Sequence, residues 1–323
     1  MTVRLDANRP PERFYRGGAR LASMRGESVA PEFEPEDWVG STTTIFGESS
    51  LGLTRLPNGW LLRDAIVADP VPWLGARHVA KWGDDLMLLV KLLDAGQRLP
   101  VHAHPGDEFA ARHLGHAHGK AEAWFILEGG TVHLGLRQDV SAKDLATVVA
   151  QQDADALLGL LHSATVSPGD VVWVPPGELH AIGAGVLLLE LQQPEDLSVL
   201  LEWKDFAIDG ESAGHLGLGF ETALRAVNRR ALVGGAQSLI SHSTSPGSVL
   251  PIAADPFFRL ERIEVRGRST IDEGFAICVV IAGSVDVAGV TAPLGSTLLL
   301  SASDGRVSVR GDGTVLIARP PVA

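Results

Sequence analysis

One cysteine, Cys278, is all the thiol this 323-residue chain has. That excludes an internal disulfide and a thiolate metal site, fits a reducing compartment, and leaves His and carboxylate side chains to hold any metal. Positive charge is also scarce. The 27 Lys and Arg face 39 Asp and Glu, a net charge of −12, and no basic run follows a phosphate backbone, so nucleic acid is not an expected partner. Long apolar runs are missing too: stretches such as 86–90 and 185–189 fall far short of the roughly 18 residues that span a bilayer. The first eleven residues carry Arg4, Asp6 and Arg9 and lack the apolar core of a secretory signal. The expectation is a cytoplasmic protein without a membrane partner.

What is present is turn punctuation. The 36 Gly and 19 Pro are spread along the whole chain between short apolar runs, the pattern of a β-rich fold. At roughly 100–200 residues per domain, the length suits two domains or one double-sized all-β architecture. Short strands are expected over 38–45, 51–56 and 60–67, followed by a nearly continuous apolar run from Leu86 to Leu93, as in a strand buried on both faces. An acidic first turn predicts a short helix between Pro105 and Gly115. Runs 123–126 and 131–136 around Gly129-Gly130 have the form of a hairpin, and 171–174 with 186–191 that of a strand pair. Apolar spacing predicts helices over 141–161 and over 221–232. From Phe257 onward, β-branched runs alternate with Gly and Asp turns.

The chemistry resides in histidine. Of two His-x-His pairs, His102-Ala103-His104 lies on a strand-like run, where alternate residues point to the same face, while His116-Ala117-His118 sits in a Gly-flanked loop. Context separates them. Gly96-x5-His102-x-His104 is followed by Glu122-x6-Gly129 and by Gly169-x5-Pro175-x-Gly177-x2-His180, the two motifs of the cupin family. The resemblance implies a mainly β fold of two cupin-type jelly-roll modules with a small helical insertion in the first. It divides the chain into a metal-binding module over 1–220 (insertion at 141–161), a linking helix and loop over 221–256, and a second, metal-free module over 257–323. It also implies that His102, His104, Glu122 and His180 converge on one divalent metal. Three neutral imidazoles and a carboxylate suit Zn²⁺ best, with Fe²⁺, Mn²⁺ or Ni²⁺ compatible.

Over residues 86–203 the resemblance narrows to the type I mannose-6-phosphate isomerases. It is carried by Leu89-Val90-Lys91-Leu92-Leu93-Asp94-Ala95, His104-Pro105-Gly106-Asp107-Glu108, Gly119-Lys120-Ala121-Glu122-Ala123-Trp124, Pro176-Gly177-Glu178-Leu179-His180-Ala181 and Glu190-Leu191-Gln192-Gln193. Glu36-Asp37-Trp38-Val39-Gly40-Ser41 resembles the N-terminal block of that family. This implies aldose–ketose isomerisation of mannose 6-phosphate through a cis-enediol. Lys120 and Glu190 are the catalytic candidates, and Trp38, Ser41 and Lys91 the substrate-binding ones. Lys120 shares a strand face with Glu122, and Glu190, set among leucines, is costly unless satisfied.

The sequence departs from the family at three points. His102 stands where the family has Gln, Pro100 where it has a phosphate-side Ser, and Leu200 where it has Arg. Arg225, Arg229 and Arg230 are the candidate replacements. An unphosphorylated sugar as substrate, an Fe²⁺-dependent oxygenase and a non-catalytic sugar-binding cupin are the competing readings.

Overall fold

The computed structural model describes residues 2–29, 31–242 and 246–323. It is mainly β, with three antiparallel sheets stacked in sequence. The central, six-stranded sheet runs in the order Ile240–His242, Asp170–Val174, Glu122–Glu128, Leu187–Gln192, Leu89–Asp94, Glu36–Val39. Its central strands, such as Leu89–Asp94 and Leu187–Gln192, are mostly apolar and wholly buried because both faces are covered. On one face Leu92, Phe125, Val171 and Leu189 join a core shared with Ile277, Val279, Leu299 and Leu316. On the other, Leu93, Trp124, Ile126 and Leu188 pack against Val132, Leu134, Val166 and Ile182 of a five-stranded sheet.

That second sheet runs Val199–Leu200, His102–Ala103, His180–Ile182, Gly130–Leu136, Leu161–Val166. Its outer face, with Val101, Ala103, Ala181 and Val199, is covered by Leu145 and Val149 of the helix Ala142–Gln151 and Leu157 of the helix Ala154–Gly159. The third sheet is built on the long strands Arg259–Ile271, Ala276–Val287 and Val307–Arg319, which enclose a core of their own around Cys278, Val280, Leu298 and Ile317. It also takes in Gly247–Ser248 and, from the other end of the chain, Val3–Leu5, so it is not confined to 257–323. The segment 221–256 includes 243–245, which lie outside the described residues. Among the described residues, no helix is long and apolar enough to cross a membrane.

Five local expectations are corrected. Residues 60–67 do not form a strand: Leu62–Ala68 is a helix that buries Leu62 and Ile66, four residues apart. Residues 51–56 form turns and one isolated bridge. Glu122–Glu128 and Gly130–Leu136 do not pair as a hairpin; the chain crosses between sheets at Gly129-Gly130, and a Cβ on Gly129 would lie 2.3 Å from the Val166 carbonyl oxygen. Asp170–Val174 and Leu187–Gln192 flank Glu122–Glu128 instead of pairing with each other. The helix expected over 221–232 is short: Phe220–Ala223 is α-helical, Leu224–Ala226 is a 3-10 turn, and Asn228 then binds Gly177 and Glu178.

Candidate functional site

Polar side chains from the central and second sheets meet around His102 and His180. His102 lies directly opposite His180 in register, with their rings 4.1 Å apart, and His104 follows two residues on, its ring 4.9 Å from each. The chain then leaves the sheet through the helix Asp107–Phe109 and the π-turn Ala110–Leu114, and returns at Gly119. Only glycine allows that return, because a Cβ there would sit 2.4 Å from the Pro105 carbonyl. The excursion accounts for the long interval between His104 and Glu122. It also delivers Lys120, whose backbone N–H donates to the Pro105 carbonyl at 2.9 Å, and Glu122, the first residue of the facing sheet's strand.

The imidazoles are arranged as metal ligands. Each Nδ1–H donates to a backbone carbonyl: His102 to Pro100 at 2.8 Å, His104 to Leu197 at 2.7 Å, His180 to Glu178 at 2.9 Å. A carbonyl only accepts, so each ring is fixed with its Nε2 lone pair toward the others. The ligand atoms of the three lie within 4.8 Å of one another, and His180 Nε2 is buried without a hydrogen-bond partner. Glu122 Oε1 is 3.0 Å from His104 Nε2, and its Oε2 is 3.6 Å from His180 Nε2. Burial holds all three histidines neutral: His180 is lowered to about 3, His102 is well below the ordinary value and His104 is also lowered. Burial opposes the charge on Glu122, but its carboxyl is held well below the ordinary range, with Lys120 Nζ 2.7 Å from its Oε1 as the cation that favours the ionised form. The donor set fits a divalent cation, since neutral imidazoles and one carboxylate are the form in which these side chains bind metal.

Beside this cluster is a cavity of about 220 Å³. Lys120 Nζ stands on its wall, 2.7 Å from Glu122 Oε1 and 3.3 Å from His104 Nε2. Glu190 faces it from the neighbouring strand, in register with Lys91. Its Oε1 has no hydrogen-bond partner, and Lys91 Nζ is 3.7 Å away. Burial, reinforced by the charge of Glu122, pushes the Glu190 carboxyl up to about 8 against the pull of Lys91 and Lys120.

Two of the substrate-binding candidates are not on the cavity wall. Trp38 is fully buried, its ring 4.6 Å beneath Lys91 Nζ and its indole N–H donating to Glu36 Oε2 at 2.7 Å, so it supports Lys91 from behind. Ser41 is buried, its hydroxyl bonding within its own turn to Thr43 and its backbone bonding to Thr54. Arg225 and Arg230 point outward to Glu221 and Asp139 with mostly exposed side chains, and Arg229 is also absent from the wall. The arginine that does line the cavity is Arg13, whose Nε donates to Glu36 Oε1 at 3.1 Å. Tyr15 donates its hydroxyl to the same oxygen at 2.6 Å. Neither residue lies in a block matched to a motif, although an Arg-Phe-Tyr triplet before Gly17-Gly18 is unusual in so aromatic-poor a chain. Asp196, Ser198 and Leu200 also line the cavity, while Leu197, Val199 and Leu201 between them enter the core. That alternation is readable as a strand edge in retrospect. His116 and His118 stay outside the cluster, bound to Glu195 at 2.8 Å and Asp85 at 2.6 Å.

No family model matches the chain. Among curated proteins, mannose-6-phosphate isomerase ManA of Bacillus subtilis (strain 168) is 38% identical over 122 residues, 37% of this chain and only 38% of ManA. YvyI of the same organism, provisionally named a mannose-6-phosphate isomerase, is 29% identical over 94% of both chains. Two solved structures share the fold over nearly the whole length. A provisionally assigned mannosephosphate isomerase from Archaeoglobus fulgidus has a TM-score of 0.78, with 22% identity over 99% of this chain and 98% of its own. The mannose 6-phosphate isomerase of Bacillus subtilis has a TM-score of 0.69, with 22% identity over 98% and 99%. The chain is thus similar to mannose-6-phosphate isomerases in sequence, and it shares the fold of their solved structures over nearly its whole length.

Proposed function

We propose that the protein is a metal-dependent aldose–ketose isomerase of the mannose-6-phosphate isomerase type. The observation that carries this is the convergence of three Nε2 lone pairs and Glu122 beside a cavity that also holds Lys120, Lys91 and Glu190. His102, His104, Glu122 and His180 would hold the metal, most favourably Zn²⁺. A divalent ion there offsets negative charge developing on the sugar's O1 and O2.

The chain's own residues supply the rest. Glu190 is the proton carrier: burial raises its affinity for a proton, which suits one group to take a proton from C2 and return it to C1. As the C2–H bond breaks, its electron pair forms the C1=C2 bond and the C1 oxygen gains a proton, giving the enediol. The O2 hydroxyl then yields its proton as C1 gains one. Lys120, an ammonium held by Glu122, donates to the oxygen on which charge accumulates. Lys91 neutralises Glu190 once it is ionised.

Incubating the metal-loaded protein with aldoses and their 6-phosphates in D₂O tests this. The expected outcome is ketose carrying solvent deuterium at C1. Absence of any aldose–ketose interconversion across the panel overturns the assignment.

A further inference from the structure

Resting on the isomerase reading, we propose that Glu36 is a positioning residue, which holds Lys91 in place by charge and leaves its ammonium N–H groups free to donate to the sugar. Glu36 and Trp38 face the same way from the edge strand of the central sheet. Trp38 lies in register with Lys91, and Lys91 with Glu190. Three donors converge on the Glu36 carboxylate. The Tyr15 hydroxyl donates to Oε1 at 2.6 Å, Arg13 Nε to the same oxygen at 3.1 Å, and the Trp38 indole N–H to Oε2 at 2.7 Å. Burial opposes the charge on Glu36, but Arg13 and Lys91, together with the bonds from Tyr15 and Trp38, hold its carboxyl well below the ordinary range. The carboxylate is both fixed and ionised, and two cations share it.

Lys91 is held differently. Its Nζ stands 3.6 Å from Glu36 Oε2, 3.7 Å from Glu190 Oε1 and 4.6 Å from the centre of the Trp38 ring, all beyond hydrogen-bond length. Among the described residues it makes no hydrogen bond. Burial opposes its charge too, but Glu190, Glu36, Asp196 and Glu122 outweigh burial and keep the ammonium protonated. Three ammonium donors in a buried place are costly without acceptors. Lys91 lines the cavity, so the oxygens of a bound sugar are placed to satisfy them. Of the two nearest carboxylates, only Glu36 holds Lys91 through the whole reaction. Glu190 takes and returns a proton in each turnover, and its pull on the ammonium changes with it. Glu36 keeps its charge, and Arg13, Tyr15 and Trp38 keep its position.

A double-mutant cycle on the metal-loaded protein tests this, with mannose 6-phosphate in turnover and glucitol 6-phosphate as an unreactive open-chain probe in calorimetry. Glu36→Gln is expected to weaken probe binding and to lower kcat/KM, each by roughly tenfold or more, at unchanged metal content. In a Lys91→Met background the same change is expected to alter either by less than about twofold, because Glu36 acts through Lys91. Tyr15→Phe, which leaves the buried carboxylate in place, is expected to give a smaller loss that also vanishes in that background. It carries the test should Glu36→Gln fail to fold. Equal losses in both backgrounds, the mark of a structural role, overturn the inference. So does a folded Glu36→Gln that binds and turns over like the wild type, or one that loses metal in step with activity. Coupling in probe binding without turnover of any aldose by the wild type overturns the isomerase reading alone. Absence of both binding and turnover in the wild type overturns the two together.

Discussion

Fixing three imidazoles through their Nδ1 atoms leaves their other nitrogens facing Glu122, Lys120 and one another. His104→Ala removes one ligand of a four-ligand set and is expected to lose most bound metal, whereas His116→Ala breaks only the contact with Glu195 and is expected to retain it. Metal content of untagged protein by mass spectrometry checks both; equal retention contradicts the ligand assignment. Glu190 acts at the same scale but through its proton. Because its folded value, about 8, lies above that of an unfolded glutamate, the native state binds the proton more tightly. Stability supplied by that proton is present below pH ~4.5 and is lost as pH rises through about 8, at up to roughly 1.4 kcal/mol per pH unit. Glu190→Gln is expected to flatten this decline in melts of the metal-stripped protein. In the loaded enzyme the same change is expected to lower kcat by roughly 10²–10⁴-fold and to remove one ionisation from the rate profile. An unaltered profile contradicts the role given to Glu190.

At the scale of elements, the sheet strand that carries His102 is supported from outside. Ser141 caps the helix Ala142–Gln151, its hydroxyl oxygen accepting the Asp144 N–H at 3.1 Å, and Leu145 and Val149 then pack on Val101, Ala103 and Val199. Leu145→Ala is expected to cost about 2–5 kcal/mol and to lower Tm by roughly 5–15 °C, with full metal content in the folded fraction. Metal lost in proportion to stability would instead make this helix part of the site. Elements of this kind were legible in the sequence wherever a local signal and the tertiary outcome agreed. The cap and 3.6-residue spacing gave the helix, the apolar run around Lys91 gave the central strand, and the histidine spacing gave the cluster. Where the outcome depended on distant partners, local pattern misled. Leu62 and Ile66 lie in a β-branched, aromatic-flanked run that reads as a strand, yet both are buried on one helical face. Gly129-Gly130 reads as a hairpin turn, but the residues after it find their partners in another sheet. Arg13 and Asp196 reach the cavity only because strands more than 100 residues apart meet there.

The whole molecule is tied together by contacts between its two ends. Val3–Leu5 pairs in register with Thr297–Leu300, and Val3, Leu5 and Leu299 share a core with Leu92 and Leu189 of the central sheet. Nearby, Arg25 forms an ion pair with the fully buried Asp37, and Gly40 passes so close to Ile277 that a Cβ would lie 3.0 Å from its Cδ1. The central and third sheets therefore share one continuous core, and unfolding either exposes the face of the other. Deleting residues 2–6 removes the two buried side chains Val3 and Leu5, worth about 1.5–3 kcal/mol each, and unpairs the edge of Thr297–Leu300. The deletion lies far from the histidine cluster in the layering, so the metal content of the folded protein is expected to stay at the wild-type level. Its thermal midpoint is expected to fall by roughly 5–15 °C, in a single transition that near-ultraviolet circular dichroism and calorimetry report at the same temperature. A midpoint unchanged by the deletion would mean that the N-terminal strand contributes nothing to the shared core. An early transition confined to the third sheet, with the metal-binding sheets melting later at the wild-type temperature, would mean that the two parts hold together independently and that the interface of Leu299 and Ile277 with Leu92 and Leu189 is too weak to couple them.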